Sequence, residues 1–194
     1  MNEESATRPS NLNLPNVLTS LRIVLVPFFA VALLIDDGDS IAWRLVAWAI
    51  FGVAMLTDKI DGDIARKRGL ITDFGKIADP IADKALTGSA LVGLSILDVL
   101  PWWITIVIAV REVGVTLLRF WVIRYGVIPA SRGGKAKTMA QIIAIGLFLL
   151  PQNDVIAVIA WVIMAAALVL TVVTGIDYVI RAFRLKARAG RAIA

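Results

Sequence analysis

Residues Asp58 to Lys84 read DKIDGDIARKRGLITDFGKIADPIADK, and the reading of this stretch sets the arrangement of the whole chain. It is acidic at both ends, basic in the middle, and lies between two long apolar runs. Asp58 and Asp61 are three positions apart, and Asp79 and Asp83 are four apart. Residues at these spacings share one face of an α-helix. If the flanking apolar runs continue as helices into the stretch, each pair presents its carboxylates together. The intervening loop then lets the two helices run antiparallel, so that four carboxylates meet at one end.

The apolar runs on either side give the class. A bilayer-spanning helix takes about 20 apolar residues. Six stretches qualify as spans: Val17–Ile35, Ile41–Thr57, Ile77–Leu97, Trp102–Ile123, Lys137–Leu150 and Val155–Ile180. The fifth is short and begins on polar residues. Only 18% of the 194 residues are charged while 59% are hydrophobic, and the mean hydropathy is +0.82; soluble domains carry about a quarter charged residues. The expected fold is an all-α integral membrane protein, a six-transmembrane-helix bundle. Residues 1–14 are expected to be a flexible N-terminal tail, 15–180 the transmembrane catalytic domain, and 181–194 a basic cytoplasmic tail that leans on lipid headgroups.

The connections alternate in charge. Asp36–Ser40, Asp98–Pro101 and Pro151–Asp154 hold no Lys or Arg, whereas Asp58–Lys76, Arg124–Lys137 and Arg181–Ala194 are rich in both. Cytoplasmic loops carry the excess of Lys and Arg, so both termini and both basic loops are expected in the cytoplasm, with the chain multi-pass in the cell membrane. Trp43, Trp102 and Trp103 suit an aromatic belt at the outer interface. The net charge of +5 then reflects loops that face anionic membrane lipids, and no nucleic-acid partner is expected.

There is no cysteine and no histidine. Thiolate zinc sites, disulfides, Cys or His nucleophiles and His bases are excluded together. Any metal site must use oxygen donors, which suit Mg²⁺ or Mn²⁺. Four clustered carboxylates repel one another, and cations relieve that repulsion. Two metal ions about 3.5–4 Å apart clamp the attacking and leaving oxygens in many phosphoryl displacements. Gly62 permits close backbone approach and Arg66 suits a phosphate or a nucleotide. The plain alternative is a solvated loop with balanced charges. Against it, Asp83 and Lys84 lie in a stretch that must enter the bilayer, where ionisable groups are costly and usually functional.

The order Asp58-x-x-Asp61-Gly62-x-x-Ala65-Arg66, then eight residues, then Gly75-x-x-x-Asp79-x-x-x-Asp83 resembles the complete signature of the CDP-alcohol phosphatidyltransferases. The resemblance extends over nearly the whole chain. It implies six spans, a homodimer, and an active-site cavity open to the cytoplasm. By position it makes Asp58, Asp61 and Asp79 metal ligands, and Asp83 the general base and a ligand of a second divalent ion, Mg²⁺ or Mn²⁺. Gly62, Arg66 and Thr72 become contacts to the CDP-lipid, with Pro15 and Asn16 over the nucleotide. Asp63 and Asp73 fall outside the signature and read as solvated.

The acceptor is argued from other residues. Arg111 and Arg119 lie in the fourth span, a little over two turns apart, so both point roughly one way. Glu112 is about 100° around the helix from Arg111 and so an imperfect partner for it. A structural salt bridge to another span is the alternative for each arginine. Lys135 and Lys137, after Gly133 and Gly134, add cations suited to a phosphate; the alternative is ordinary positive-inside bias. Together these favour an acceptor that already carries a phosphate. Pro15-Asn16, Leu18-Thr19 and Arg22, with Arg111-Glu112 and Gly134-Lys135-x-Lys137-Thr138-x-x-Gln141, most resemble the phosphatidylglycerophosphate synthase branch, which implies CDP-diacylglycerol and glycerol 3-phosphate as substrates. Lys59-Ile60 departs from that branch, which often has an aromatic there. Inositol phosphate, serine or phosphatidylglycerol is the rival acceptor. A divalent-cation transporter is the rival from another class; it calls for acidic residues deep in several spans, and the outer halves contain almost none. A membrane scaffold leaves Asp83, Arg111 and Arg119 unexplained.

Overall fold

The structure, a computed structural model, describes residues 13–68, 72–126, 128–129 and 131–191. The side chains at 63, 65, 66, 68, 73, 76, 77 and 188–191 are outside that description. The described residues form six α-helices and no strand: α1 Leu14–Leu34, α2 Ile41–Arg68, α3 Asp73–Ile96, α4 Trp102–Val122, α5 Arg132–Leu149 and α6 Asp154–Arg191. The expected tail 1–14 lies almost wholly outside the described residues.

Three helical segments are long and apolar enough to cross a membrane: Leu14–Gly38, Ile41–Gly62 and Asp154–Ala187. The chain is a membrane protein. The other three helices carry charge within any stretch of spanning length. These charges are Asp79, Asp83 and Lys84 on α3; Arg111, Glu112 and Arg119 on α4; and Arg132, Lys135 and Lys137 on α5. Asp79, Asp83, Arg111, Arg119, Lys135 and Lys137 are among the residues singled out above for chemistry.

Two helices run well past their apolar runs. α2 has 28 residues and α6 has 38; at 1.5 Å per residue they are roughly 42 and 57 Å long. The hydrocarbon core is about 30 Å thick. α2 therefore has length to spare for the acidic pair beyond Thr57. The basic segment after Ile180 is a continuation of α6 to Arg191. α5 starts at Arg132, five residues before the expected Lys137. Ser131 explains this start: its hydroxyl accepts the Gly134 N–H at 3.0 Å, an N-cap that offsets two glycines in the first turn.

By contacts the chain divides into two compact units, Met1–Gly93 with Leu149–Pro151, and Leu94–Phe148 with Gln152–Ala194. In the first, α1 packs along α2, joined by a tight turn in which Asp36, Asp37 and Gly38 all take positive φ. Its interior is filled by small side chains such as Ala32, Ala47 and Ala54, with Phe29 against Phe51. Gly93 packs closely on α1: a Cβ there would lie 2.6 Å from Leu33 Cδ2, so that side chain would have to shift. In the second unit α4 packs on α6, and Ala144, Ala160 and Ala167 are fully buried. Small residues at helix contacts are what a lipid solvent favours, since apolar bulk gains nothing there and close approach gains dispersion. Large side chains such as Phe28, Val110, Leu117, Phe120 and Val162 point outward.

Candidate active site

In the first unit the acidic motif is organised by α1. Asn13 caps this helix, its side chain accepting the Asn16 N–H at 3.0 Å, and Pro15 sits in the first turn where a missing N–H is harmless. Asn16, Thr19 and Arg22 follow at intervals of three and form a buried polar stripe, each less than 5% exposed. Each residue of the stripe meets part of the motif. Arg22 pairs through Nη1 with Asp58 Oδ1 at 2.5 Å and through Nη2 with Asp61 Oδ2 at 2.6 Å. The Thr19 hydroxyl lies 2.5 Å from Asp79 Oδ1 and 3.0 Å from the Pro15 carbonyl. The Thr72 hydroxyl donates to Asn16 Oδ1 at 2.9 Å and accepts the Gly75 N–H at 3.1 Å, which caps the start of α3.

This crowding explains Gly75. A Cβ there would stand 3.0 Å from Asn16 Oδ1, 3.4 Å from Thr72 Oγ1 and 3.8 Å from Asp79 Oδ2. Both acidic pairs lie on continuous helix, Asp58 and Asp61 on α2, Asp79 and Asp83 on α3. Asp58 and Asp79 both act electrostatically on the buried Asp61, so these three carboxylates share one neighbourhood. Asp83 is half-buried one turn further along α3. Among the described residues, no group of three or more carboxylates closes into a metal cage. Arg22 holds Asp58 and Asp61, and Thr19 holds Asp79. The donor chemistry nonetheless fits a hard divalent ion: every donor is oxygen, and two of the three carboxylates share a single arginine while the third meets only a hydroxyl among the contacts described. Gly62 is half-buried next to Asp61 on α2, and the Arg66 side chain lies outside the described residues.

The second unit holds a cavity of about 430 Å³ whose polar wall includes Arg111, Arg119, Ser131, Lys135, Tyr178 and Arg181, with Asp177 as its one carboxylate among the described residues. Three of the four expected acceptor cations are thus gathered on one wall. The fourth, Lys137, is not on it. It is 3% exposed and ion-paired to Glu112. Arg111 also reaches Glu112, at 3.0 Å, and donates to the Thr174 hydroxyl at 3.1 Å. Adjacent helix positions diverge by about 100°, yet the long guanidinium arm bends back far enough to make this pair. Glu112 therefore ties Arg111 to Lys137. Gly133 lets α5 begin hard against α6, since a Cβ there would lie 3.0 Å from Thr174 Cγ2. Arg181 pairs with Asp177 at 2.9 Å, and the buried Tyr178 hydroxyl makes no hydrogen bond among the described residues.

Residues 12–173 match the family model described as CDP-alcohol phosphatidyltransferase. The chain belongs to the CDP-alcohol phosphatidyltransferase family. A probable phosphatidylglycerophosphate synthase of Mycobacterium tuberculosis is 58% identical over 179 residues, 92% of this chain and 86% of the relative. A CDP-diacylglycerol–glycerol-3-phosphate 3-phosphatidyltransferase of Bacillus subtilis is 42% identical, covering 86% of this chain and 93% of its own length. The enzyme of the same name from Haemophilus influenzae is 36% identical over 172 residues, 86% of this chain and 91% of the relative. For a CDP-alcohol phosphatidyltransferase, four residues of these two sites were not assigned a place in either from the sequence. Thr19 and Arg22 entered only as parts of a resemblance, although polar residues at 16, 19 and 22 in an apolar helix mark a buried stripe. Tyr178 and Arg181 share one face with Thr174 and Asp177, at spacings of three, four and seven. α6 carries that face past the end of its apolar run.

Proposed function

We propose that the chain transfers the phosphatidyl group of CDP-diacylglycerol to glycerol 3-phosphate, giving phosphatidylglycerol phosphate and CMP. The observation that carries this reading is the cation-lined cavity of the second unit, which suits a small acceptor that already bears a phosphate. The names of the Bacillus subtilis and Haemophilus influenzae relatives support the same donor and acceptor.

Arg111, Arg119, Lys135 and Arg181 bind the acceptor phosphate, and the Tyr178 hydroxyl donates one further hydrogen bond. Lys137 acts on that wall through Glu112, which sets the position of Arg111. In the first unit Asp58, Asp61, Asp79 and Asp83 would hold divalent ions, Mg²⁺ or Mn²⁺, which would supply positive charge for the pyrophosphate of the CDP-lipid and the departing CMP. Asp83, assigned by its place in the motif, accepts the proton of the acceptor hydroxyl. The acceptor oxygen forms a bond to the phosphorus carrying diacylglycerol, and the bond from that phosphorus to the CMP oxygen breaks. Pro15, Asn16, Gly62, Arg66 and Thr72 border the CDP moiety; Asn16 and Thr72 also fix the start of α3. The proposal includes six spans in the cytoplasmic membrane, both termini and the cavity on the cytoplasmic side, and a homodimer.

Acceptor competition tests it. Purified protein is given radiolabelled CDP-diacylglycerol and, in parallel, glycerol 3-phosphate, inositol phosphate, serine or phosphatidylglycerol. Label should enter phosphatidylglycerol phosphate alone. Label entering the product of another acceptor instead would replace the acceptor in this reading.

A further inference from the structure

Arg22 is the least expected charge in the molecule. It lies within the apolar segment Leu14–Gly38, and its side chain is 0% exposed. Burying a guanidinium in such a place is costly unless it is paired. Its two partners differ. Asp61 is 4% exposed, whereas Asp58 is 42% exposed, so the pair is sealed on one side and open on the other. The Nε atom is buried and makes no hydrogen bond among the described residues. The guanidinium thus gives up one donor and spends both Nη groups on the two carboxylates. Its placement follows their charge and not its own best hydrogen bonding.

The charges in this neighbourhood can be counted. Arg22 brings one positive charge against the carboxylates of Asp58, Asp61 and Asp79, so it offsets only part of their charge and leaves the rest for divalent cations. Without Arg22 the same carboxylates would carry three uncompensated charges close to the hydrocarbon.

We propose that Arg22 is a positioning residue, a built-in counter-ion that aligns Asp58 and Asp61 and keeps the site folded before a divalent cation arrives. It also opposes that cation, so it sets how tightly the ion binds. The proposal rests on the reading of these aspartates as metal ligands. Replacing Arg22 by a neutral side chain should make the protein's stability depend on the ion and make the ion bind more tightly. The Coulomb interaction between Arg22 and a nearby cation, screened through the exposed side of Asp58, corresponds to about a tenfold change in affinity.

The test uses the full chain in detergent, without CDP-lipid. Thermal unfolding is followed by tryptophan fluorescence while MnCl₂ or MgCl₂ is titrated. The wild type should hold its fold without ion and gain a modest rise in midpoint with it. Arg22→Gln should unfold at lower temperature, or on EDTA treatment, and regain its midpoint with Mn²⁺ at about one-tenth of the wild-type half-saturating concentration. Arg22→Lys keeps the charge but not the fork, and should recover part of the ion-free stability. Arg22→Gln that is unstable to the same degree with and without Mn²⁺ would make the arginine merely structural and overturn the proposal. So would unchanged half-saturation in Arg22→Gln, or Arg22→Lys that behaves as Arg22→Gln. A wild type whose midpoint no divalent ion moves would overturn both this proposal and the metal-ligand reading.

Discussion

The Tyr178 hydroxyl is buried on the wall of the cation-lined cavity and makes no hydrogen bond among the described residues. A buried polar group in that state costs about 1–3 kcal/mol in lost hydration. Tyr178→Phe keeps the ring and removes the cost. If about 1 kcal/mol is recovered, a chain of this size should gain about 2–4 °C in Tm. The same hydroxyl is proposed to donate to the acceptor phosphate, and a hydrogen bond to a charged group is worth about 1.5–3 kcal/mol. Its loss should raise the KM for glycerol 3-phosphate roughly tenfold or more, leaving the KM for CDP-diacylglycerol unchanged. Unfolding followed through the chain's six tryptophans gives the first quantity. CMP release against acceptor concentration gives the second. A more stable but poorer enzyme is the signature of a group placed for a ligand. A fall in Tm with unchanged KM would show that the hydroxyl serves the fold and refute the reasoning.

Asp83→Asn keeps the size of the side chain and removes its basicity; it should abolish turnover while Tm stays near that of the wild type, and wild-type activity would sink the assignment of the base. Lys135 is exposed on the cavity wall, so Lys135→Ala should raise the KM for glycerol 3-phosphate roughly tenfold with little change in Tm. Gly133→Val pushes a branched side chain into Thr174, 3.0 Å from where its Cβ would stand, and overpacking of this kind costs about 1–3 kcal/mol. Its Tm should fall by several degrees, and an unchanged Tm would mean that α5 and α6 separate freely at that point.

The helical placement of the acidic motif was legible because helical spacing is independent of burial. Asp58 with Asp61, and Asp79 with Asp83, are at intervals that a continuous helix turns to one face, and α2 and α3 do continue through them. Hydropathy alone stops α2 near Thr57, since the last turns are polar and leave the apolar run. α5 shows the opposite difficulty. Gly133 and Gly134 read as helix breakers, each about 1 kcal/mol less favourable than alanine, and the compensating Ser131 cap is a single side-chain bond. Arg22 was hidden for a physical reason as well. A lone arginine in an apolar run declares that it needs a partner but not which one, because Asp58 and Asp61 are distant in sequence. The roles of Lys137 and Glu112 were obscure on similar grounds. Two cations two residues apart look alike in a basic segment, and only the structure shows that Lys137 goes to the Glu112 carboxylate while Lys135 lines the cavity.

The central claim, phosphatidyl transfer from a CDP-lipid to glycerol 3-phosphate at a carboxylate-held metal site, is tested most directly by CMP release. Detergent-purified protein is given CDP-diacylglycerol with Mg²⁺ or Mn²⁺, with and without glycerol 3-phosphate, and then with EDTA. The account predicts release that requires glycerol 3-phosphate, disappears with EDTA and returns when the ion is restored. Release that is indifferent to EDTA, or its absence from folded protein with both substrates and the ion present, would contradict it.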